Sequence, residues 1–271
     1  MLRLQVLELE LMKPEDYDQI LHKGWLLWMG RFIMERIDKD LLGSFMEFIK
    51  FLPGIVDKWY AKDVPVIMSG AATIPYENIC GARTLTRFIF DMYQNGDQVE
   101  KVMDAALPFM APLMIAMTKY LGLPAMWIGG WRAASEILSP PLWDRFVWPY
   151  LERVAFEVID SGIIPWFHLD SDWTRDLGRF KALPKGQCVL SLDGSTDIRK
   201  AKEILGDHMC IAGDVPASLL VLGFPDEVYE YCTELIRDMG PNGFILHSGC
   251  DIPADAKLEN VQAMVAAATG K

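Results

Sequence analysis

Residues 244–253 have the sequence FILHSGCDIP, an apolar strand-like run that ends in a polar turn carrying Cys250. Residues 163–173, IIPWFHLDSDW, are organised in the same way, with His168 and Asp170 at the end of the apolar run. Imidazole, carboxylate and thiolate are the groups that bind zinc in proteins. If the two stretches meet in space, they predict a zinc site with one coordination position left open for chemistry.

Short apolar runs recur along the chain and alternate with helix-length segments. The predicted strands are residues 4–10, 64–72, 125–130, 163–170, 188–194, 209–215 and 244–249. Continuous apolar strands of this kind are typical of a parallel sheet that is covered on both faces. Either a (β/α)8 barrel or an open doubly wound sheet would fit this alternation. Because no glycine-rich dinucleotide turn follows a strand, and polar residues gather at strand ends, we expect an α/β fold of the (β/α)8 TIM-barrel type, as one domain over residues 1–271.

The segments between the strands carry helix start and stop signals. Ser139 precedes two prolines and predicts the start of a helix that runs over residues 142–161 and ends at Gly162. Residues 195–197, Ser-Thr-Asp, predict the start of a helix that ends at Gly206, and similar signals predict helices over residues 225–239 and 258–268.

Composition excludes several functions. A net charge of −11 argues against binding to nucleic acid and to anionic lipid. The apolar segment 105–116 contains two prolines and is too short to cross a bilayer, so we expect a buried helix and no membrane association. Five widely spaced cysteines with no CxxC pair predict reduced thiols and a cytoplasmic protein.

The candidate metal ligands have simpler interpretations that remain open. His168 and Asp170 are two residues apart in an extended strand, so both side chains point to one side, yet a lone histidine is often structural. Cys250 follows a glycine that permits close backbone approach, although most free cysteines are buried and inert. Asp193 and Asp214, at the ends of neighbouring strands, are candidate catalytic residues, either as a general base or as supports of a ligand, and each would equally suit a capping role.

A second set of residues would surround a substrate. The candidates are aromatic or cationic: Trp127, Trp131, Arg132, Trp166 and Trp173. An exposed arginine beside tryptophans could hold an anionic, planar molecule. Alternatively, Arg132 pairs with Glu136, and Trp166 and Trp173 belong to the core.

Two motifs resemble the uroporphyrinogen decarboxylase superfamily. Residues 139–151, SPPLWDRFVWPYL, are similar to a helix of that superfamily, and residues 243–246, 249–253 and 259–261 are similar to its C-terminal signature. The resemblance runs from about the first third of the chain to its end, and it implies a (β/α)8 barrel.

The resemblance separates two branches. The decarboxylases carry histidine where Cys250 stands and have an arginine-rich N-terminal motif, which this sequence lacks. The zinc-dependent methyltransferases that act with corrinoid proteins pair a His-x-Cys with a cysteine in the final turn. His168 and Cys250 match two of these ligands, whereas Asp170 takes the place of the middle cysteine.

The resemblance therefore implies a methyltransferase with Zn²⁺ on His168, Asp170 and Cys250 and a corrinoid carried by a partner protein, and Asp172 is the alternative to Asp170 as the carboxylate ligand. Because an oxygen ligand makes zinc harder, we expect a methylated oxygen substrate, such as an aryl methyl ether, before a thiol of the coenzyme M type. A decarboxylase-like lyase and a non-catalytic relative remain alternatives. The family's usual first strand and helix have no clear counterpart in the sequence. Either the barrel is incomplete, the strand predicted over residues 4–10 substitutes, or a second copy of the chain covers the open edge, in which case we expect a homodimer.

Overall fold

The computed structural model describes residues 8–270. Within this part of the chain, six strands lie in chain order in one sheet: β1 Met68–Ala72, β2 Ala125–Gly130, β3 Ile164–Leu169, β4 Val189–Leu192, β5 Cys210–Val215 and β6 Phe244–Ser248. Helices separate successive strands, so the chain is an α/β protein of alternating strands and helices, as predicted.

The helices of residues 8–270 fall before, between and after these strands. They are α1 Glu15–Lys23, α2 Trp25–Phe32, α3 Leu41–Tyr60, α4 Pro75–Arg83, α5 Leu85–Ala106, α6 Pro112–Tyr120, α7 Pro140–Phe146, α8 Trp148–Asp160, α9 Ile198–Leu205, α10 Ala217–Leu222, α11 Pro225–Met239 and α12 Leu258–Thr269. A π-helical turn, Ile33–Ile37, and two 3₁₀ segments, Leu107–Phe109 and Thr174–Ala182, complete the helical structure of this part.

Most predicted boundaries agree with these elements, and three predictions do not. The buried helix expected over residues 105–116 is instead the end of α5, the 3₁₀ turn and the start of α6, where Leu113 is 60% exposed. The Asp197 carboxylate accepts hydrogen bonds from the backbone N–H groups of Arg199 and Lys200 and so begins α9 as predicted. The single helix predicted over residues 142–161 is wrong: it is divided at Val147 into α7 and α8, with Pro149 in the first turn of α8, where its missing N–H costs nothing. Of the strand predicted over residues 4–10, residues 1–7 lie outside the described part and residues 8–10 form no strand.

The chain divides into two compact units. The first comprises Met1–Met126 and Pro141–Ile163, and the second comprises Trp127–Pro140 and Ile164–Lys271. The expectation of one domain over residues 1–271 stays a prediction.

In the second unit, β3 to β6 pair in parallel. The register places His168 opposite Ser191, Ser191 opposite Ala212, and Ala212 opposite Ile245. Alternate residues of a strand face opposite sides of the sheet. Phe167 and Leu190 occupy one side and are fully buried, with the Phe167 ring 5.3 Å from Phe180. His168 and Ser191 therefore share the opposite side, where the polar groups collect.

A buried ion network holds together several elements of the first unit. The Arg83 guanidinium, of which 3% is exposed, donates to both carboxylate oxygens of Asp91 in α5, to the Glu10 carboxylate and to the Met12 carbonyl. The Tyr17 hydroxyl of α1 also donates to Asp91, at 2.7 Å. Burial, followed by Asp91, raises the pKa of Tyr17, so the phenol stays a donor. The Asp91 carboxylate thus joins α1, α4 and α5.

One stretch, Leu85–Tyr120, is long and apolar enough to cross a membrane by length and composition alone. Core helices of soluble proteins meet the same two criteria. The stretch consists of α5, a 3₁₀ turn and α6, and it contains the Arg83-bound Asp91. The side chains of Val99, Val102 and Met103 are fully buried in the protein. We interpret α5 as a packing element of the first unit.

We expect Asp91→Ala to lower the free energy of unfolding by about 3–5 kcal/mol, because it removes one partner of a buried ion pair and leaves the Arg83 charge under-compensated. Urea denaturation measures the loss. The matched control is Glu47→Ala, which removes an ion pair to Lys50 in which both side chains are 65% exposed. This control should change stability by less than about 1 kcal/mol. Equal losses in the two variants would contradict the importance of the buried network.

Candidate metal centre

Three potential metal ligands converge in the second unit. His168 lies in β3, Asp170 follows that strand directly, and Cys250 lies two residues after β6. One ligand atom from each side chain lies within 4.8 Å of the other two. The two stretches singled out in the sequence therefore meet, although β4 and β5 lie between their strands.

The spacing of one ligand pair and the charge of the set are those of a zinc site. His168 Nε2 lies 3.5 Å from Asp170 Oδ1, and two ligands of a tetrahedral zinc ion with bonds of about 2.0–2.3 Å are separated by roughly 3.3–3.8 Å. Two anionic ligands, Asp170 and a Cys250 thiolate, would balance the charge of Zn²⁺. Three protein ligands leave the fourth position of a tetrahedral site open, which is the pattern of catalytic zinc.

The Cys250 thiol is less acidic here than a free thiol. Partial burial of the sulfur raises the pKa of Cys250, a hydrogen bond from the Asp251 backbone opposes the shift, and the negative charges of Asp170 and Asp251 add to it. A metal ion reverses this preference, because it binds the thiolate and releases the proton. The residue itself is exposed, in contrast to the buried Cys80, Cys188 and Cys232.

The backbone around Asp170 is held on both sides. Its N–H donates to the Gly130 carbonyl at 3.3 Å, and its carbonyl accepts the Trp173 indole N–H at 2.8 Å. The next residue, Ser171, has a positive φ of 73°. This unusual conformation for a residue other than glycine is supported by its neighbours.

Asp193 forms hydrogen bonds with the turn that follows Asp170. Its carboxylate accepts hydrogen bonds from the Ser171 N–H at 2.9 Å and from the N–H and hydroxyl of Ser195. Thr196 accepts from the Trp173 N–H and donates to the Ser171 carbonyl. Asp193 therefore ties the loop after β4 to the loop after β3. Its predicted catalytic role stays a prediction, and the contacts describe a residue that positions Asp170.

Gly249 allows the turn that carries Cys250 to pack against the backbone of Asp193. A Cβ atom at this position would lie 2.5 Å from the Asp193 carbonyl oxygen, which is closer than any real contact. The Gly249 N–H donates to the Val215 carbonyl, and the Ser248 hydroxyl donates to the Cys250 carbonyl. The close backbone approach inferred for this glycine is confirmed.

Two polar residues that the sequence analysis did not assign complete the centre. Ser191 of β4 is fully buried, and its Oγ lies 3.0 Å from His168 Nδ1 and 2.6 Å from His247 Nε2. The His247 ring stacks near Trp166, with centroids 6.3 Å apart. His247 was in the quoted stretch but carried no assignment. Ser191 and His247 could have been assigned to the centre only if the pairing of His168 with Ser191 had been known. That pairing depends on strand register.

The predicted substrate-binding residues occupy three different settings. Trp127 lies beside His168, at 6.0 Å between rings, and Trp166 lies beside His247. Trp131 is 39% exposed, and the Arg132 guanidinium stacks on its ring at 3.9 Å. Trp173 is 1% exposed and packs in the core with its indole N–H on the Asp170 carbonyl.

Two acidic residues named in the sequence analysis have defined partners. The Glu136 carboxylate accepts a hydrogen bond from the Asp172 N–H at 3.1 Å. Asp214 is 5% exposed and accepts a hydrogen bond from the Tyr231 hydroxyl at 2.7 Å. Burial raises the pKa of Asp214, although the bond from Tyr231 opposes the shift.

Comparison with known proteins identifies the class. The family model described as uroporphyrinogen decarboxylase (URO-D) matches residues 34–270. The chain therefore belongs to the uroporphyrinogen decarboxylase family, and the resemblance drawn from residues 139–151 and 243–261 is confirmed.

Individual relatives are distant. A uroporphyrinogen decarboxylase of Syntrophotalea carbinolica is 28% identical over 74% of this chain and 58% of its own length. The human uroporphyrinogen decarboxylase is 23% identical over 66% of this chain and 48% of its own length. That of Trichodesmium erythraeum is 29% identical over 46% of this chain and 35% of its own length. The chain thus spans about a third to somewhat over half of these curated relatives.

A solved structure shares the fold. It is a methyltransferase from Methanosarcina mazei, with a TM-score of 0.64 at 22% identity, and the match covers 76% of this chain and 58% of that protein. With the sheet order described above, this likeness confirms the predicted TIM-barrel fold class.

We expect Gly249→Ala to weaken zinc binding by about 10-fold or more, because an added methyl would push the Cys250 turn away from the Asp193 backbone. Titration against a competing chelator measures the affinity. Gly178→Ala is the matched control, since no atom lies within 4 Å of its added Cβ. Unchanged affinity in Gly249→Ala would show that the turn does not set the position of the sulfur.

We expect Asp214→Asn to stabilise the protein increasingly as the pH rises. A carboxyl group whose pKa is raised by folding contributes stability below its unfolded pKa and loses that contribution as the pH rises through the folded pKa. Asparagine has no charged form to bury. Urea denaturation between about pH 4 and 8 measures the difference from wild type, with the exposed Asp207→Asn as control. A difference that did not vary with pH would contradict the assigned cause.

Proposed function

We propose that this protein is a zinc-dependent methyltransferase that moves a methyl group between a small methylated substrate, for preference an aryl methyl ether, and a corrinoid protein. The observation that carries the proposal is the convergence of His168, Asp170 and Cys250 within 4.8 Å. Membership of the uroporphyrinogen decarboxylase family and the fold shared with a methyltransferase support it.

The three side chains would have distinct tasks. His168 offers a neutral nitrogen, Cys250 a soft thiolate and Asp170 a hard carboxylate oxygen. Zinc bound by them would supply Lewis acidity toward the ether oxygen. Asp170 and Asp193 would keep the loop after β3 in place while the substrate is bound.

In the proposed reaction, the bond between the methyl carbon and the ether oxygen breaks. A reduced corrinoid carried by the partner would accept the methyl group and supply the electron pair for its new bond. The oxygen leaves with the former bonding pair as a phenolate, which is protonated by solvent. No external oxidant or reductant enters the balanced step.

Asp170 supports an oxygen substrate over a thiol. Activation of a thiol depends on zinc that is rich in electron density from soft ligands, and one carboxylate oxygen in place of a cysteine sulfur reduces that density. The same change strengthens the ion as a Lewis acid. The rings of Trp127 and Trp166, beside His168 and His247, would give an aryl group an apolar wall.

A second candidate is a decarboxylase acting on a tetrapyrrole, which is favoured by the names of the curated relatives. Such a lyase would need cations to hold substrate carboxylates and no metal. Arg132 and Arg175 are the candidate cations in the sequence; Arg132 stacks on the Trp131 ring, and Arg175 is engaged by Asp176 and by the Leu138 carbonyl. These contacts favour the methyltransferase.

Metal content and methyl transfer together test the proposal. Purified wild type should contain about one zinc per chain by elemental mass spectrometry, and Cys250→Ala should lose it. The control is Cys210→Ala, which removes a half-buried thiol of β5 and should keep the metal. With zinc bound, wild type should methylate a reduced corrinoid protein at the expense of a methylated aromatic, as followed by the corrinoid absorbance.

Three results would overturn parts of the proposal. Zinc retained by Cys250→Ala would remove Cys250 from the site. Methylation of a thiol by a methylcorrinoid protein, without activity on ethers, would favour the thiol reaction. Absence of metal even after zinc is supplied, together with consumption of uroporphyrinogen, would favour the lyase.

A further inference from the structure

We infer that Trp127 and Gly129 together select an aromatic substrate. The Trp127 indole is a flat stacking platform beside the metal centre, and Gly129 is the positioning residue that allows the indole to lie flat. The inference rests on the proposed function and deepens it, because it names the kind of group that the methyl ether must carry.

The indole of Trp127 lies face-on against Gly129. Both residues belong to β2 and are two positions apart, so they share one side of the strand. A Cβ atom at Gly129 would lie 1.6 Å from Cη2, 2.0 Å from Cζ2 and 2.2 Å from Cζ3 of Trp127. These three atoms are consecutive in the six-membered ring and almost equally distant from that point. The point therefore lies over the face of the ring and not beyond its edge.

The ring, and not the backbone, requires glycine at position 129. Gly129 has none of the positive φ values found at Gly194 and Gly213, so its backbone conformation is open to other residues. A real Cβ atom essentially never lies within 3.0 Å of such a neighbour. Any other side chain at this position would consequently lift the indole off the strand.

The opposite face of the Trp127 ring is the one left open. Trp127 is half-buried, whereas Gly129 beneath it is buried. The exposed part of the indole therefore belongs to the side turned away from the strand.

The other three tryptophans predicted to bind substrate are less suited to stacking. Trp166 and Trp173 are only 5% and 1% exposed. Trp131 is exposed, but the Arg132 guanidinium lies 3.9 Å from its ring centre and covers one face. Of these four rings, Trp127 combines partial exposure with a face free of a stacked cation.

The platform lies next to the proposed ligands. The ring centroids of Trp127 and His168 are 6.0 Å apart, and the carbonyl of Gly130, at the end of β2, accepts a hydrogen bond from the Asp170 N–H. In an aryl methyl ether the ring is bonded directly to the oxygen. If that oxygen occupied the open position of a metal held by His168, the aryl ring would have to lie close to His168. A flat indole there could stack on it.

The test compares methoxybenzene with methoxycyclohexane, which carry the same methyl ether on a flat and on a puckered six-membered ring. Ligand-observed NMR titrations give both dissociation constants, and their ratio measures the preference for the flat ring. We expect zinc-loaded wild type to bind methoxybenzene about 3- to 10-fold more tightly. The preference should persist in metal-free protein, because stacking does not need the metal.

Three variants test the roles of the two residues. Trp127→Leu removes the platform and Gly129→Ala displaces it, so both should lose the preference. Leucine has no ring to cover position 129, so Gly129→Ala should have no further effect in the Trp127→Leu background. Gly178→Ala, whose added methyl group meets no atom within 4 Å, is the control and should keep the wild-type ratio. Competition with a chelator should show unchanged zinc affinity in Trp127→Leu, which keeps all three ligands.

Several results would overturn the inference. They are absence of the preference in wild type, failure of wild type to bind either ether, or a wild-type ratio in Trp127→Leu or Gly129→Ala. A further loss on adding Gly129→Ala to Trp127→Leu, or a loss of zinc affinity in Trp127→Leu, would show that the pair only supports the end of β2.

The same experiment separates this inference from the proposed function. If the preference behaves as expected but the protein binds no zinc, or passes no methyl group to a reduced corrinoid protein, the platform stands and the methyltransferase proposal fails. If methyl transfer occurs from both ethers with no preference for the flat ring, the proposed function stands and the platform is wrong.

Discussion

The parallel register of β3 to β6 is the constraint on which the rest of the site depends. It sets His168 opposite Ser191 and places the end of β6 near the end of β3 although two strands intervene. A shift of one residue in β4 would turn Ser191 to the helix side and bring an apolar side chain against His168. The register is held in turn by the helix-facing residues, such as Phe167 and Leu190, whose burial would be lost in the same shift.

The centre combines groups whose negative charge a cation would balance. Burial and the neighbouring carboxylates raise the pKa of Cys250, and His168 Nε2 lies 3.5 Å from Asp170 Oδ1. Two surrounding residues influence where the ligands lie. Asp193 holds Ser171, and Gly249 allows the last turn to touch the Asp193 backbone. Loops after three strands are thereby joined around Asp170 and Cys250.

The proposed methyltransferase depends on the ligand set and on the residues around it. The ligand set determines what the site could bind, and Asp170 favours a harder zinc than three soft ligands would. The Ser191 hydroxyl contacts both His168 and His247, whose ring centroids are 6.4 Å apart.

The sequence by itself determined the alternating strand and helix pattern, the polar ends of β3 and β6, and three candidate ligands, because these follow from local periodicity and residue chemistry. It also determined the family, through two local motifs. The break between α7 and α8 was also encoded locally, because Pro149 lies inside the helix predicted over residues 142–161 and an interior proline ends a helix, but the prediction did not use this signal. Only the tertiary structure decided that Ser191 and His247 meet His168 and that Asp193 braces a neighbouring loop. These contacts join residues 22 to 56 positions apart through strand register, which no local pattern encodes.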